Sequence, residues 1–206
     1  MGLYDRYLLP PLLNAAMSTK PIRYQRRKVV PRASGRVLEI GFGAGHNLPF
    51  YDAAKVTHLW ALEPSKEMRA RAAERVSQTT IPLEFLDLPS EQIPLEDEQA
   101  DTILVTYTLC TIPDVHKALG EMRRVLKPDG TMIFCEHGEA PDANVKRWQD
   151  RITPVWKALC GNCHLGRPIP DIIRDGGFRV TKMETMYLPG TPHFAGFNYW
   201  GDAVKA

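Results

Sequence analysis

The sequence predicts an α/β fold in which an open, mostly parallel sheet carries helices on both faces. Apolar strand-like runs alternate along the chain with stretches of helical periodicity, an order typical of parallel sheets. The run at residues 101–107 is almost continuously apolar and rich in β-branched side chains, which indicates a central strand buried on both faces. A strand at residues 36–40 also leads directly into three closely spaced glycines, Gly41, Gly43 and Gly45.

The other strands are predicted from short apolar runs bounded by turn residues. We expect them over residues 57–62, 81–86, 131–136, 178–188 and 196–204.

The helices are predicted from apolar spacing and from residues that begin or end helices. Ser65 is placed to cap one helix, and Asp114 is placed to cap another that ends at Lys127-Pro128-Asp129-Gly130. A further helix over residues 144–159 contains Pro154, which should kink or split it.

Length and composition favour one globular domain over residues 1–206. The chain has 206 residues, of which 44% are apolar, enough for one sizeable core but not for a second domain. The net charge of +2 gives no reason to expect a nucleic-acid partner. We recognise no secretory signal and no apolar run long enough to span a membrane, so we expect a cytoplasmic protein.

Residues 1–35 are predicted to form a helical segment with a local excess of positive charge. Residues 1–36 hold eight Lys or Arg against one acid, Asp5. Such a segment suits a peripheral contact with anionic membrane headgroups or with an acidic substrate, or a solvated helix face above a substrate pocket. We favour the last interpretation and treat residues 1–35 as a lid over a core of residues 36–206.

The glycine-rich turn is suited to a nucleoside cofactor. Its glycines permit a tight turn with close backbone approach to a ligand, and Glu63, at the end of the next strand, can accept hydrogen bonds from ribose hydroxyls. A dinucleotide fingerprint would need a glycine where this chain has His46. Glu39 would repel a phosphate but could pair with an ammonium group. The pattern therefore favours a cofactor that carries an amino acid over one that carries a diphosphate.

With three further segments, this turn resembles the E-x-G-x-G-x-G motif of the class I S-adenosylmethionine-dependent methyltransferases, small-molecule branch. The further segments are Glu91-Gln92-Ile93-Pro94-Leu95, Asp101-Thr102-Ile103-Leu104-Val105 and the run from Leu119 to Gly130. The resemblance implies a Rossmann-like, doubly wound, mostly parallel sheet of seven strands with an antiparallel last strand. It also implies S-adenosyl-L-methionine as the cofactor.

The resemblance assigns cofactor-binding residues motif by motif. It implies that the glycine turn holds the methionine part, Glu63 the ribose, and Ser90 with Glu91 the adenine. Relatives carry Gly-Asp-Ala where this chain has Leu88-Pro89-Ser90, so Asp87 is the alternative adenine contact. The predicted set is Glu39, Gly41, Phe42, Gly43, Gly45, Asn47, Glu63, Pro64, Ser90, Glu91, Thr106 and Tyr107, the last two facing the methyl group.

The C-terminal half is similar to the methyltransferase-like 7 group, the thiol S-methyltransferases. The similar segments are Glu136-His137, Trp148, Pro154-Val155-Trp156, Gly161 to Arg167 and Pro192-His193. This similarity implies a small, apolar acceptor with a thiol sulfur as the favoured nucleophile. The alternatives are methylation of a quinone-type or phospholipid amine acceptor, a non-catalytic protein that keeps the cofactor fold, and a nicotinamide-dependent oxidoreductase.

Three residues are candidate catalytic groups. A base is needed only if the nucleophile arrives protonated, and His137, just after a strand, should reach the ligand-binding edge of the sheet. His164 is a second candidate base, and Tyr107 is predicted to face the reacting methyl group. For either histidine the alternative is an ordinary surface or structural role.

The cysteines and two tryptophans are predicted to be structural. Cys110 and Cys135 should be buried and inert. The segment Cys160-Gly161-Asn162-Cys163-His164 matches haem attachment and half of a zinc site. Without an export signal or a second cysteine pair, we expect a reduced loop near the active site and no metal. Trp148 and Trp156 could line an acceptor pocket, but we expect them in the core.

Overall fold

The structure is a computed structural model that describes residues 4–206, apart from the side chains of Asp5 and Arg6. Residues 1–3 of the predicted lid segment lie outside the described residues. The strands are β1 (Gly35–Ile40), β2 (Val56–Leu62), β3 (Leu83–Leu86), β4 (Ala100–Thr106), β5 (Leu126–His137), β6 (Phe178–Tyr187) and β7 (Phe197–Lys205). The helices are α1 (Leu9–Met17), α2 (Lys20–Val29), α3 (Lys66–Ser77), α4 (Val115–Val125), α5 (Ala143–Leu159), α6 (Ile169–Asp175) and α7 (His193–Gly196).

The seven strands form one sheet in the order β3-β2-β1-β4-β5-β7-β6. The pairs β2–β3, β1–β2, β1–β4 and β4–β5 are parallel, whereas β7 is antiparallel to both β5 and β6. The predicted doubly wound sheet with an antiparallel last strand is confirmed. The strand order reverses between β1 and β4, and a crevice beyond the carboxyl ends of strands at such a switch is where ligands bind in this architecture.

Each face of the sheet packs into its own apolar layer. One layer joins β4 and β5 to α4 and α6 through fully buried residues such as Ile103, Phe134 and Leu119. The other joins β1, β2 and the end of α2 through residues such as Val29 and Leu59. Because both faces are covered, the central strands are apolar on every side, as the run at residues 101–107 predicts.

Both predicted helix caps are present. Ser65 Oγ accepts a hydrogen bond from the Met68 N–H (3.2 Å), and Asp114 Oδ1 accepts one from the Lys117 N–H (3.0 Å). Each bond satisfies a backbone donor that the first turn of a helix leaves unpaired. These caps fix where α3 and α4 begin, and therefore the loops that precede them.

Strand β5 begins five residues before the predicted start at residue 131. Leu126 pairs with Ala100, and the next pair is Thr131 with Thr102, so four residues of β5 bulge out opposite one residue of β4. The predicted turn at residues 127–130 is thus accommodated inside the strand as a bulge.

Helix α5 departs from its prediction in two ways. It runs unbroken through Pro154, and the hydroxyl of Thr153 donates to the backbone oxygen of Gln149 one turn earlier (2.7 Å). The predicted core position of Trp148 is wrong, because 57% of its surface is exposed, while the neighbouring Gln149 is 1% exposed. A helix that buries an amide and exposes a tryptophan must satisfy that amide inside the protein.

The start of the described chain contacts the end of α5. Leu8 and Leu12 are more than half exposed, whereas Tyr4 donates its hydroxyl to the backbone oxygen of Leu159 (2.6 Å). Among residues 4–206, no helix combines the length and apolarity needed to cross a bilayer.

Candidate active site

The glycine turn after β1 brings its backbone close to neighbouring groups. Gly41, Gly43 and Gly45 all have positive φ angles, a conformation that favours glycine. A Cβ on Gly41 would overlap the side chain of Thr108, whereas a Cβ on Gly43 would meet its nearest atom, Met68 Cε, only at 3.5 Å. The turn therefore needs glycine at 41 for packing, while the backbone at 43 faces room for a ligand.

Glu63, at the end of β2, holds a fixed carboxylate beside this turn. Its Oε2 accepts the N–H of Gly43 (2.8 Å), and its Oε1 accepts the N–H of Ser65 (2.9 Å). Burial raises the pKa of Glu63, although the two backbone hydrogen bonds oppose that shift. The next residue, Pro64, is exposed, and Phe42 packs edge-on against Phe85 in the core at a ring separation of 5.5 Å.

Glu39, the last but one residue of β1, lies fully inside the protein and not at the solvent edge. Its carboxylate accepts hydrogen bonds from Asn47 Nδ2 (2.8 Å) and from the Tyr51 hydroxyl (2.6 Å). Burial raises the pKa of Glu39 to about 7, although these two bonds and the nearby Arg26 oppose the shift. Each oxygen accepts one bond from a described donor, which leaves lone pairs for a further donor.

Arg26 of α2 completes this buried polar group. Its Nη1 donates to Asn47 Oδ1 (2.5 Å) and to Thr106 Oγ1 (2.9 Å), and the residue is only 4% exposed. Burial lowers the pKa of Arg26. Its Nε is buried and has no hydrogen-bond partner in the described part of the chain. A buried guanidinium with an unpaired N–H indicates a place for an anionic ligand group.

Sequence reasoning counted Arg26 only as one of eight basic residues and so missed it. The spacing of Arg26 from nearby apolar residues in the sequence indicates that its side chain faces inward. Val29 and Val30 follow Arg26 by three and four residues, the spacing of one helical face, and all three are buried; Val30 directly follows the last residue of α2. A basic residue in line with two apolar neighbours faces the core. The description of residues 1–35 as a solvated helix face is therefore wrong at this position.

The residues predicted to contact adenine lie between β3 and α4. Ser90 is buried and donates its hydroxyl to Glu91 Oε2 (3.3 Å), while Glu91 Oε1 accepts the N–H of Asp114 (3.3 Å). Asp87, the alternative contact, forms an exposed ion pair with Arg69 (2.6 Å). Glu91 thus stabilises the start of α4 through the N–H of Asp114. Ser90 is more deeply buried than Glu91.

Thr106 is the last residue of β4, and Tyr107 follows it, next to Arg26. Thr106 Oγ1 also accepts from Asn47 Nδ2 (3.0 Å), which links the glycine turn to β4. Tyr107 has a φ of +55°, a costly conformation for a bulky residue, and donates its hydroxyl to Asn198 Oδ1 (2.7 Å). Such strain clusters at functional sites, where the surrounding structure holds the residue in place.

His137, the last residue of β5, lies beside a cysteine. Its Nε2 is 3.2 Å from Cys163 Sγ, and these two atoms and Cys110 Sγ all lie within 4.8 Å of one another. A hydrogen bond from Cys110 lowers the pKa of the Cys163 thiol, and the contact with His137 lowers it further. Burial lowers the pKa of His137, but the hydrogen bond to Cys163 and the charges of Cys163 and Glu136 together outweigh burial, so the net shift is upward.

His164 is placed differently from His137. Its backbone N–H donates to the oxygen of Cys110 (2.9 Å), and burial with nearby Arg167 lowers the pKa of its ring. The prediction that Cys110 is inert rested on burial alone. Cys110, His137 and Cys163 come from three separate segments, and no spacing or motif predicts that their side chains lie together.

A cavity of about 390 Å³ lies at the opposite edge of the sheet, where β4 begins. It is lined by polar residues that include Asp101, Asp129 and Asp202. A smaller cavity, of about 210 Å³, adjoins the glycine turn and is lined by Arg23, His46 and Arg75 among others. Burial, then the charges of Arg26, Arg75 and Arg23, lower the pKa of His46 to about 4, so the ring is neutral near pH 7.

Buried Glu39 should make the stability of the ligand-free protein depend on pH. Its folded-state pKa of about 7 lies above the ordinary 4.5, so its contribution to stability is complete below pH 4.5 and is lost as the pH rises through 7. Glu39→Gln lacks this loss. Its stability relative to wild type should therefore increase by up to about 3 kcal/mol between pH 4.5 and pH 8.

Urea unfolding over that pH range measures the difference directly. The matched control is Glu74→Gln in the exposed part of α3, which makes the same change of side chain away from the buried polar group. A pH-independent difference for Glu39→Gln would contradict the raised pKa.

Comparison with known proteins agrees with this arrangement. Residues 38–134 match the model of a methyltransferase domain. The chain is 30% identical to the thiol S-methyltransferase TMT1B of Homo sapiens over 206 residues, which covers 94% of this chain and 83% of that protein. It is also 30% identical to the phosphatidylethanolamine N-methyltransferase of Cereibacter sphaeroides over 137 residues, covering 65% and 66% of the two chains.

A solved structure of a SAM-dependent methyltransferase from Thermotoga maritima has the same fold. It superposes with a TM-score of 0.67 at 21% identity and covers 98% of each chain. The chain therefore belongs to the class I S-adenosylmethionine-dependent methyltransferases, in the family that includes the thiol S-methyltransferases, and is an enzyme whose cofactor is S-adenosyl-L-methionine.

Proposed function

We propose that the enzyme methylates the sulfur of a small, apolar thiol. The binding of S-adenosylmethionine in this proposal depends on one observation, the buried pair of opposite charges formed by Arg26 and Glu39 beside the glycine turn. A free amino acid group carries one carboxylate and one ammonium, and this pair matches both. The choice of a thiol as the methyl acceptor is supported by the 30% identity to a thiol S-methyltransferase over nearly the whole chain.

The cofactor would be held by groups at the carboxyl ends of β1, β2 and β4. We propose that the unpaired Nε–H of Arg26 donates to the methionine carboxylate, and that Glu39 accepts from the ammonium. Glu63 is oriented by two backbone N–H groups, which leaves its remaining lone pairs for ribose hydroxyls. Ser90 would lie near the adenine.

S-adenosylmethionine supplies a methyl group on a positively charged sulfur, so the carbon is already electrophilic. The protein then has to align the acceptor, and alignment of reactants corresponds to roughly 7–11 kcal/mol of the barrier. Thr106 and Tyr107, held rigidly at the end of β4, are placed to position the two reactants.

The acceptor thiol must lose its proton. A free thiol has a pKa of about 8.5, so only a small fraction is thiolate at neutral pH. A positive charge near the sulfur raises that fraction. We propose that the acceptor sulfur lies beside His137 at the end of β5, where the structure already places two protein thiols.

Product analysis tests the acceptor class. The protein is incubated with isotope-labelled cofactor and matched panels of alkyl thiols, amines, phenols and quinols, and the products are identified by mass spectrometry. We expect kcat/KM for thiols at least about tenfold above that for amines or phenols of similar size, a difference of about 1.4 kcal/mol.

Labelled products from amines or quinols but not from thiols would overturn the thiol assignment. That result would favour the phospholipid amine or quinone-type alternative. Tight binding of S-adenosylhomocysteine without turnover of any acceptor would instead indicate a non-catalytic protein.

A further inference from the structure

We propose that Cys110, His137 and Cys163 bind one zinc ion, with a fourth position open to the sulfur of the acceptor thiol. Two thiolates and one imidazole are ligands that zinc prefers, and three protein ligands with one exchangeable position are typical of catalytic zinc. The zinc site stands on the geometry alone. The role of its fourth position rests on the proposed thiol methylation.

The three ligand atoms are already close enough for one ion. They lie within 4.8 Å of one another, and Cys163 Sγ and His137 Nε2 are 3.2 Å apart. With Zn–S near 2.3 Å and Zn–N near 2.0 Å, a tetrahedral site separates its ligand atoms by roughly 3.5–3.8 Å. Side-chain adjustments of about 1 Å or less would therefore suffice.

The segments that carry the ligands are tied to one another. The loop after α5 donates from the His164 N–H to the Cys110 oxygen (2.9 Å) and from Asn162 Nδ2 to the Thr111 oxygen (3.3 Å). Arg167 Nη2 donates to the Ile112 oxygen (2.8 Å), and its Nη1 donates to the Leu109 oxygen. These bonds fix the loop of Cys163 to the turn of Cys110 independently of any ligand, which preorganises the site.

The charges of the site favour a divalent cation with an anionic fourth ligand. Two thiolates neutralise Zn²⁺, so the loaded cluster is neutral and can remain buried. A bound acceptor thiolate would then bring one negative charge, and the half-buried guanidinium of Arg167 lies close enough to Cys110 to interact with it electrostatically. In the described residues, no fourth His, Cys, Asp or Glu atom joins this group, so the exchangeable position is free for substrate.

Binding of the acceptor at this position is a simple ligand exchange. The S–H bond of the acceptor breaks and its proton passes to solvent, while a sulfur lone pair forms the bond to zinc and displaces a water molecule. The zinc ion thereby supplies the positive charge that keeps the acceptor sulfur as a thiolate near neutral pH.

Metal analysis of the purified full chain tests the site without any turnover. We expect about one zinc per chain after purification with reductant and without chelators. In Cys110→Ser and Cys163→Ser, zinc retained after dialysis should fall at least about fivefold, because each variant removes one of the three protein ligands. Cys160→Ser is the matched control, because Cys160 lies three residues from Cys163 but outside the cluster, and it should retain zinc.

Cobalt provides a second readout on the wild-type protein, which does not depend on whether variants fold. The zinc-free chain should bind Co²⁺ with the absorption of a tetrahedral ion and thiolate-to-metal bands in the near ultraviolet. Adding a small alkyl thiol should shift these bands, whereas the corresponding alcohol should not.

Several results would overturn the proposal. Absence of zinc together with absence of cobalt bands in wild type would remove the metal site, and reversible loss of two thiols on oxidation would replace it with a Cys110–Cys163 redox pair. Equal zinc loss in Cys160→Ser would move the site to the C-x-x-C segment. Cobalt bands that thiols leave unchanged would overturn the acceptor role, a result distinct from failure to methylate thiols.

Discussion

Replacing Gln149 by leucine should lower the free energy of unfolding by about 3 kcal/mol or more, because it leaves several buried backbone groups without partners. Gln149 is 1% exposed. Its Oε1 accepts the N–H of Ala140 (2.9 Å), and the two hydrogens of its Nε2 are shared among the oxygens of Gly138 (2.9 Å), Leu165 (3.0 Å) and Phe194 (3.1 Å). Each buried group that loses its partner costs about 1–3 kcal/mol, and leucine has a similar volume, so the loss is polar and not steric.

The neighbouring tryptophan is the matched control. Trp148→Ala removes a much larger apolar side chain, but one that is 57% exposed, and should cost less than about 1 kcal/mol. Urea unfolding followed by circular dichroism measures both variants. A larger loss in Trp148→Ala than in Gln149→Leu would mean that α5 packs with its aromatic face inward, as the sequence predicted.

Gly43→Asp should abolish measurable binding of S-adenosylhomocysteine while leaving the protein folded. Aspartate is among the few residues that tolerate a positive φ, here +58°, and a Cβ at this position meets nothing closer than 3.5 Å. The new carboxylate, however, occupies the space toward which the turn presents its backbone, next to the Glu63 carboxylate that accepts the Gly43 N–H. Loss of close approach and repulsion together should weaken binding at least about 100-fold, or about 2.8 kcal/mol.

Isothermal titration calorimetry measures this change, with a second glycine as control. Gly190 also has a positive φ, +72°, and a Cβ there would meet nothing within 4 Å. Gly190→Asp thus has a comparable backbone cost away from the glycine turn, and it should bind S-adenosylhomocysteine like wild type. Unchanged binding in Gly43→Asp, or equal loss in Gly190→Asp, would contradict the assigned cofactor site.

The features that the sequence predicted correctly are those encoded by neighbouring residues. The helix after Asp114 could be predicted because its cap, its apolar spacing and the turn that ends it all lie between Asp114 and Gly130. The pairing of the glycine turn with Glu63 could be predicted because parallel neighbouring strands end at one edge of the sheet. Short-range patterns of this kind are read directly from the chain.

The features that were missed depend on contacts between distant segments. The sequence does not identify Gln149 as a buried residue, because its partners are backbone groups on three separate segments, which no side-chain pattern reveals. The meeting of His137 with Cys163 depends on how the loop after α5 returns to β5. The C-x-x-C spacing pairs Cys163 with Cys160 in the sequence. In the fold, the thiol of Cys163 lies close to Cys110 and His137, and Cys160 is not part of this group.

The position of Arg26 on α2 links a helix outside the alternating core to the cofactor pocket. Any ligand that contacts Arg26 binds most tightly when α2 is docked, so ligand affinity and docking of α2 share one coupling free energy. By thermodynamic reciprocity, the free energy by which docked α2 strengthens ligand binding equals the free energy by which the bound ligand stabilises docked α2. Under the proposed contact between Arg26 and the cofactor, α2 forms part of the pocket, and the fraction of chains with α2 docked should rise when the pocket is occupied.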